Sequence, residues 1–247
     1  MKESLTSPPV LTECSKCLKS EDLCVCSEVT PVKSKIHVLI LQHPQEPDKD
    51  LGSALLAHLS LPNSTLKIGL SWRNLGAVLG REVQPSKWAV LYLGSGAKTV
   101  GGKPDPAIGP LQLLTKTGSP LADNDKALSE LEGIVVLDGT WSQAKTLWWR
   151  NAWLLKLRRA VLTPKSVSLY KELRKEPRRE CLSTIESIAA ALVALGEPLS
   201  IGIQLNGVFQ KLLDRKREQR KQEVAKRRAA KAGNNPPAGP AAVDPTQ

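Results

Sequence analysis

Two short stretches carry the residue types and spacings that do chemistry. The first is Cys14-x2-Cys17-x6-Cys24-x-Cys26, four thiols within 13 residues. Thiolates delivered in pairs by tight turns can close a tetrahedral shell around zinc, and four of them leave no open position, so the expected ion is structural. The segment has few apolar residues of its own, so a metal is expected to hold it. Two disulfides are the competing reading, but they need an oxidising compartment and nothing in the sequence indicates export. The fifth cysteine, Cys181, stands alone and reads as a packed thiol. Three histidines, His37, His43 and His58, are too few and too scattered for a histidine metal site. The second stretch is Asp138-Gly139-Thr140-Trp141, which follows an apolar run and opens a helical one. A carboxylate at a strand end, beside the free amides of a helix start, can hold its charge and accept a proton or a hydrogen bond. Simple capping of the helix by Asp138 and Thr140 is the alternative.

These residues need a frame to place them. Ile36–Leu41, Leu66–Leu70, Trp88–Leu93 and Ile134–Asp138 read as short apolar strands, with Ala160–Thr163 a weaker fifth. Strands apolar on both faces are typical of a covered parallel sheet. Helical patterns lie between or after them at Gly52–Leu61, Trp72–Leu79, Trp141–Asn151 and Thr184–Leu195. The alternation predicts an α/β fold. Thr140 with Gln143, and Ser183 with Glu186, have capping-box spacing. Ligands of such sheets bind at the carboxyl ends of the strands, which is where Asp138 falls. Trp141, Ala144 and Trp148 share one helical face, which reads as core. Lys145 and Arg150 lie near enough to meet phosphate. Gly94–Asp125 is rich in Gly and Pro and reads as a long functional loop.

Composition narrows the partner. The 247 residues carry 35 Lys+Arg against 24 Asp+Glu, a net charge of +11, which points to a polyanion such as nucleic acid. Ten Lys/Arg against four acids lie between Lys211 and Gln247, so the terminal arm holds +6 of that charge. A hydrophobic fraction of 41% excludes a wholly disordered chain. No run reaches the roughly 18 apolar residues of a membrane span. Met1–Thr12 shows no apolar signal core, so the cytoplasm is the expected compartment. Three zones result: a four-cysteine zinc-binding segment over 1–30, an α/β domain over 31–208, and a basic tail over 209–247, partly helical and then disordered.

Asp138-Gly-Thr-Trp-Ser-Gln-Ala-Lys145 resembles the signature of the DTW-domain proteins, the tRNA-uridine aminocarboxypropyltransferases. Leu41-Gln-His-Pro-Gln-Glu46, Leu61-Pro-Asn63, Tyr170-x3-Arg174-x2-Pro177 and Cys181-Leu-Ser-Thr-Ile-Glu-Ser187 agree with it, and the cysteine cluster fits the bacterial-type pattern. The likeness spans about residues 12–205. One departure is Tyr92-Leu-Gly94, where a Tyr-Pro-Gly-like turn is the pattern.

The resemblance implies a SPOUT-like knotted parallel sheet and an S-adenosylmethionine-dependent enzyme. Its activity would be transfer of the 3-amino-3-carboxypropyl group to N3 of a tRNA uridine, with release of methylthioadenosine. Uridine N3 must lose its proton to become a competent nucleophile, so a positioned base helps. The sulfonium is already a good leaving group, and in-line placement is the remaining need. Asp138 is the candidate base, with Thr140 and Trp141 beside it; Trp141 would stack on a base or sit in the core. Tyr92, Gly94, Gly139, Leu182, Ser183 and Thr184 are the candidate donor-binding residues. For Ser183, plain capping is the alternative. Arg174, Arg178 and Arg179 join Lys145 and Arg150 as candidate RNA contacts, a solvated basic face being the alternative. The basic arm would add non-specific affinity. The state implied is a monomer or a homodimer.

Three other readings compete: a knotted methyltransferase with the same donor, a zinc-stapled RNA-binding protein without catalysis, and a DNA-binding regulator. Asp138 at a strand end argues against the second. No helix-turn-helix or paired zinc finger supports the third.

Overall fold

The five predicted strand runs lie side by side in one six-stranded sheet. The computed structural model describes residues 13–91, 99–100, 103–104, 109–115, 117–163, 167–170, 173 and 182–233. Its strands are β1 (His37–Gln42), β2 (Ser64–Ile68), β3 (Trp88–Leu91), β4 (Thr99–Val100), β5 (Lys103–Pro104), β6 (Leu111–Leu114), β7 (Gly133–Asp138) and β8 (Arg158–Leu162). Its helices are α1 (Ala54–Ser60), α2 (Leu75–Leu79), α3 (Asn124–Ser129), α4 (Trp141–Arg150), α5 (Thr184–Ala194) and α6 (Leu199–Gly233). The sheet order is β2-β1-β7-β3-β8-β6. Its first five strands are parallel, and β6 runs antiparallel to β8 at the edge. β4 and β5 pair as a separate short ribbon.

The two-residue period of a strand, with both faces of the sheet covered, explains why β1 and β7 are apolar between their end residues. Val38, Ile40, Ile134 and Val136 pack with α1, α5 and α6. Leu39, Leu41, Val135 and Leu137 pack with α2 and α4 on the opposite face. Every residue of β7 is buried, as a central strand covered on both faces must be. Gly133 opens β7 because nothing larger fits there: a Cβ would stand 2.6 Å from the buried Trp88 ring.

Three expectations are corrected. The loop expected over Gly94–Asp125 contains β6, whose Leu111, Leu113 and Leu114 are buried. Asn124 ties it down, its side chain accepting from Leu113 N at 2.8 Å and donating to Leu111 O at 3.1 Å. An edge strand needs pairing on one side only, so four residues suffice.

The second correction concerns the tail. The boundary expected after Val208 falls inside α6. Ile201, Leu205, Val208, Phe209, Leu212 and Leu213 recur at helical spacing and are all buried, so the helix packs against the core well past it. Phe209 meets Tyr170 edge-on at 5.2 Å. Beyond Asp214 none of the described side chains of α6 is buried, and those from Lys221 to Ala230 are all exposed.

Third, the cysteine segment is not bare of core contacts. Two 3-10 turns, Glu21–Leu23 and Cys26–Glu28, fold it back, and Cys17, Leu23 and Val25 are buried in the cluster formed by α1, α5 and α6. Arg215 of α6 donates to the Cys24 carbonyl. All three histidines have hydrogen-bond partners, and His43 Nδ1 accepts from Gln45 N at 3.3 Å. His37 bonds Asn63 and Thr65 at 2.8 and 2.9 Å, and His58 bonds Ser64 at 2.7 Å. Burial pushes the pKa of both rings down, which keeps them neutral as partners of these polar groups.

Candidate active site at the carboxyl end of the sheet

Asp138 and Gln42 are the last residues of β7 and β1, and they are register partners. Both are buried. The Gln42 amide Nε2 donates to Asp138 Oδ2 at 2.8 Å. The other oxygen, Oδ1, accepts from the Thr184 hydroxyl at the start of α5. Both of these groups donate to it, as suits an acceptor-only carboxylate. Held from β1 on one side and α5 on the other, the group cannot rotate freely. The chain then turns through Gly139, where a Cβ would stand 2.8 Å from Gln143 Cβ, so only glycine lets the turn close onto α4.

Thr140 caps α4 as its spacing predicts. Its backbone N–H donates to Gln143 Oε1 at 2.6 Å, and its hydroxyl accepts from Gln143 N at 3.4 Å. Gln143 Nε2 reaches across to Gln45 Oε1 at 3.2 Å, tying the loop after β1 to this helix. Thr140 is exposed at the mouth of the site. Trp141 is 39% exposed and does not share the core with Ala144. The core reading of the Trp141–Ala144–Trp148 face is corrected on this point: α4 buries Ala144 and Leu147, while Trp141, in its first turn, lies at the rim. Trp148 is half-buried, and Lys145 and Arg150 are exposed on the same helix.

The Leu182-Ser183-Thr184 turn divides its labour. Leu182 and Thr184 are half-buried, and Thr184 turns to Asp138. Ser183 is buried and works for the frame: its N–H and hydroxyl both donate to Glu186 Oε2, at 2.9 and 2.6 Å. The buried Glu186 carboxylate also accepts from Ser168 and from Leu169 N, at 3.0 and 2.7 Å. Ile185 N donates to Ser53 Oγ at 3.2 Å, and Glu186 N to Ser183 Oγ at 3.3 Å. Three amides at the start of α5 are therefore already bonded within the fold. Tyr92, Gly94, Arg174, Arg178, Arg179 and Cys181 lie outside the described residues.

Two site residues escaped the sequence reading. Gln42 is one; its signal is a polar residue closing the apolar run Val38–Leu41. Lys19 is the other. It is 5% exposed, and its Nζ donates to the Lys49 carbonyl at 3.0 Å. Burial pushes its pKa down, while the negative groups Cys17, Asp50 and Asp138 pull it back up. It lies two residues after Cys17, inside the cysteine motif, whose metal-type spacing is the stronger local signal.

The four thiols Cys14, Cys17, Cys24 and Cys26 are free, and their sulfurs all lie within 4.8 Å of one another. Cys14 and Cys26 Sγ are 3.7 Å apart. A tetrahedral shell with metal–sulfur bonds of about 2.3 Å sets its sulfurs about 3.8 Å apart, so the cluster fits a thiophilic ion. Hydrogen bonds from the backbone at Cys17 and Lys16 lower the Cys14 thiol to about 6. Burial raises those of Cys17 and Cys26. A cation is what lets all four ionise together.

The fold is thus an α/β one with a parallel-dominated sheet, a buried carboxylate at its carboxyl edge and a four-cysteine cluster beside the amino end of the chain. The DTW domain model matches residues 11–217, and the chain belongs to that family. It is 30% identical over 188 residues to a mouse protein named tRNA-uridine aminocarboxypropyltransferase 2, covering 74% of this chain and 56% of the relative. The protein of the same name from Macaca fascicularis is 28% identical over 188 residues with the same coverage. That from Drosophila melanogaster is 27% identical over 198 residues, covering 78% of this chain and 70% of the relative. The chain thus spans about half the length of the two mammalian relatives. No solved structure matches it.

Because Cys17, Leu23 and Val25 belong to the main core, metal loss is expected to reach the whole fold. Stripping metal with a chelator, or making Cys17→Ser, should lower the thermal unfolding midpoint by several degrees, on the order of 2 kcal/mol or more. A metal-free protein melting at the metal-loaded temperature would show that the cluster stabilises nothing.

Proposed function

We propose that the chain transfers the 3-amino-3-carboxypropyl group of S-adenosylmethionine to N3 of a uridine in tRNA. The observation that carries this reading is the Asp138 carboxylate, held by Gln42 and Thr184 at the strand end of a DTW-family chain. The names of the relatives support the same reaction. Asp138 takes the uridine N3 proton as N3 attacks the terminal carbon of the chain. The N3–C bond forms, the C–S bond breaks, and the electron pair stays on sulfur in neutral methylthioadenosine. The low exposure of Asp138 keeps bulk water from competing for that proton. Gln42 and Thr184 hold the carboxylate in line; Trp141, at the rim, stacks on the uracil or its neighbour. Gly139, Leu182, Thr184, Tyr92 and Gly94 border the donor, with Ser183 shaping their turn.

The knotted SPOUT-like arrangement belongs to this proposal. What supports it is that β7 and β8, consecutive along the chain, flank β3 in the sheet, and that α5 then returns to lay Thr184 against the end of β7. Zinc is the ion proposed for the four cysteines, as a closed structural site. Cytoplasmic tRNA is the proposed partner; no described helix is long and apolar enough to cross a membrane. Lys145, Arg150, Arg174, Arg178 and Arg179 contact its phosphates, and the chain acts as a monomer or homodimer.

The test is incubation with S-adenosylmethionine and unmodified tRNA, followed by nucleoside mass spectrometry. One aminocarboxypropyl unit on uridine is the expected gain; a methyl gain or none contradicts the reading. Asp138→Asn keeps the shape but accepts no proton, and should cost about 10²–10⁴-fold in transfer rate. Transfer at the wild-type rate removes Asp138 from the chemistry.

The basic arm supplies non-specific affinity. Ending the chain after Arg220 spares every buried residue of α6 and removes Lys221, Lys226, Arg227, Arg228 and Lys231. It should weaken tRNA binding and flatten its salt dependence, by about 0.7–0.9 in log–log slope for each phosphate no longer neutralised. An unchanged slope rules the arm out as a phosphate-binding element.

A further inference from the structure

Of the large apolar side chains described, Trp149 is the most exposed, at 79%. It lies on α4, which packs on the sheet through the buried Ala144 and Leu147. Trp141, Lys145 and Trp149 recur every four residues, so they form one stripe along the helix, and all three are exposed. The stripe starts at the rim of the Asp138 site and sets a cation between two indoles. Its surroundings are basic. Asn151, which closes α4, donates to Leu70 O at 3.0 Å and accepts from Trp72 N at 2.8 Å, and Ser71 donates to Arg150 O at 3.3 Å. The loop after β2 is thereby fixed against the end of α4, with Arg73 and Arg150 both exposed. No Asp or Glu occurs over residues 139–171 or 51–81, the two stretches that meet here.

Aromatic planes alternating with cations suit a single-stranded nucleic acid, whose bases stack on the rings while its phosphates meet the charges. A protein partner fits less well, because lysine is depleted in protein–protein interfaces. The spacing adds a constraint. Eight residues of helix rise about 12 Å. Stacked neighbours in a duplex strand are only about 3.4 Å apart. Two indoles that far apart take bases splayed out of a stack, as in a loop. We propose that Trp149 is a second stacking platform for the RNA substrate. It holds an unpaired base beside the target uridine's strand, while Trp141 serves the site itself and Lys145 takes a phosphate between them. The proposal rests on the function proposed above and names the form of its substrate: a uridine in an unpaired segment. Chemistry at N3 makes the same demand, since that atom is engaged in a base pair and the base must leave the stack to react.

The test is fluorescence anisotropy of a labelled tRNA and of a labelled blunt RNA duplex, each titrated with the full chain at several salt concentrations. Trp149→Ala should weaken tRNA binding about five- to a hundredfold. It should leave duplex binding and the salt slope for tRNA unchanged, because no phosphate contact is lost. Trp149→Phe should keep most of the affinity and Trp149→Leu little of it, since leucine has apolar bulk but no flat ring. Lys145→Gln should instead flatten the log–log salt slope by about 0.7. Equal loss on tRNA and duplex, no loss on tRNA, or a leucine variant as tight as wild type overturns the proposal. Nucleoside mass spectrometry on the same tRNA separates this from the function. A wild-type chain that binds tRNA through Trp149 yet adds no aminocarboxypropyl group overturns the transfer reading and leaves the stacking platform standing. A Trp149→Ala chain that binds and modifies tRNA like the wild type overturns the platform alone.

Discussion

Asp138 ends the central strand of a parallel sheet, where strand-end amides and helix starts converge, and the surrounding architecture turns on its carboxylate. A buried carboxylate is costly unless donors satisfy it, and here they come from two distant parts of the chain, Gln42 on β1 and Thr184 on α5. That requirement sets the register of β1 against β7 and brings α5 back to the sheet. Glycine at 139 and the Thr140 cap follow from the same need, since the chain must leave the strand and enter α4 without displacing the carboxylate.

The second constraint is the paired use of polar anchors behind the site. Glu186 commits its carboxylate to Ser168, Leu169 and Ser183, which pins the turn that carries Thr184. The cysteine segment plays the matching part on the other side: its apolar residues sink into the α1–α5–α6 core and its Lys19 ammonium donates to the Lys49 carbonyl. Neighbouring residues of one motif therefore take different partners, Ser183 the Glu186 carboxylate and Thr184 that of Asp138.

What was legible in the sequence follows from range. β1, β3 and β7 are apolar on both faces, a local signature, and both capping boxes form where their spacing predicts. β6 was hidden because a four-residue edge strand between Gly- and Pro-rich stretches has too little periodicity to register. The inner half of α6 was hidden by its charge: Lys211, Arg215 and Lys216 interrupt a pattern whose other face is buried through Leu213. Asp138 was legible as a carboxylate at a strand end. Its partner Gln42 was not, because 96 residues separate the two and only the β1–β7 register joins them. The exposure of Trp141 likewise depends on where α4 starts relative to the strand end, which helical spacing alone does not say.

If Thr184 and Gln42 act by positioning Asp138, the hydroxyl at 184 matters to catalysis more than the bulk of the side chain. Transfer kinetics of Thr184→Ser and Thr184→Val read this out. The serine variant keeps the hydroxyl and is expected to stay within a few-fold of wild type. The valine variant leaves one carboxylate oxygen without that donor, and should lose about tenfold or more in kcat with KM for the donor little changed. A valine variant with the kcat of the wild type would contradict a positioning role.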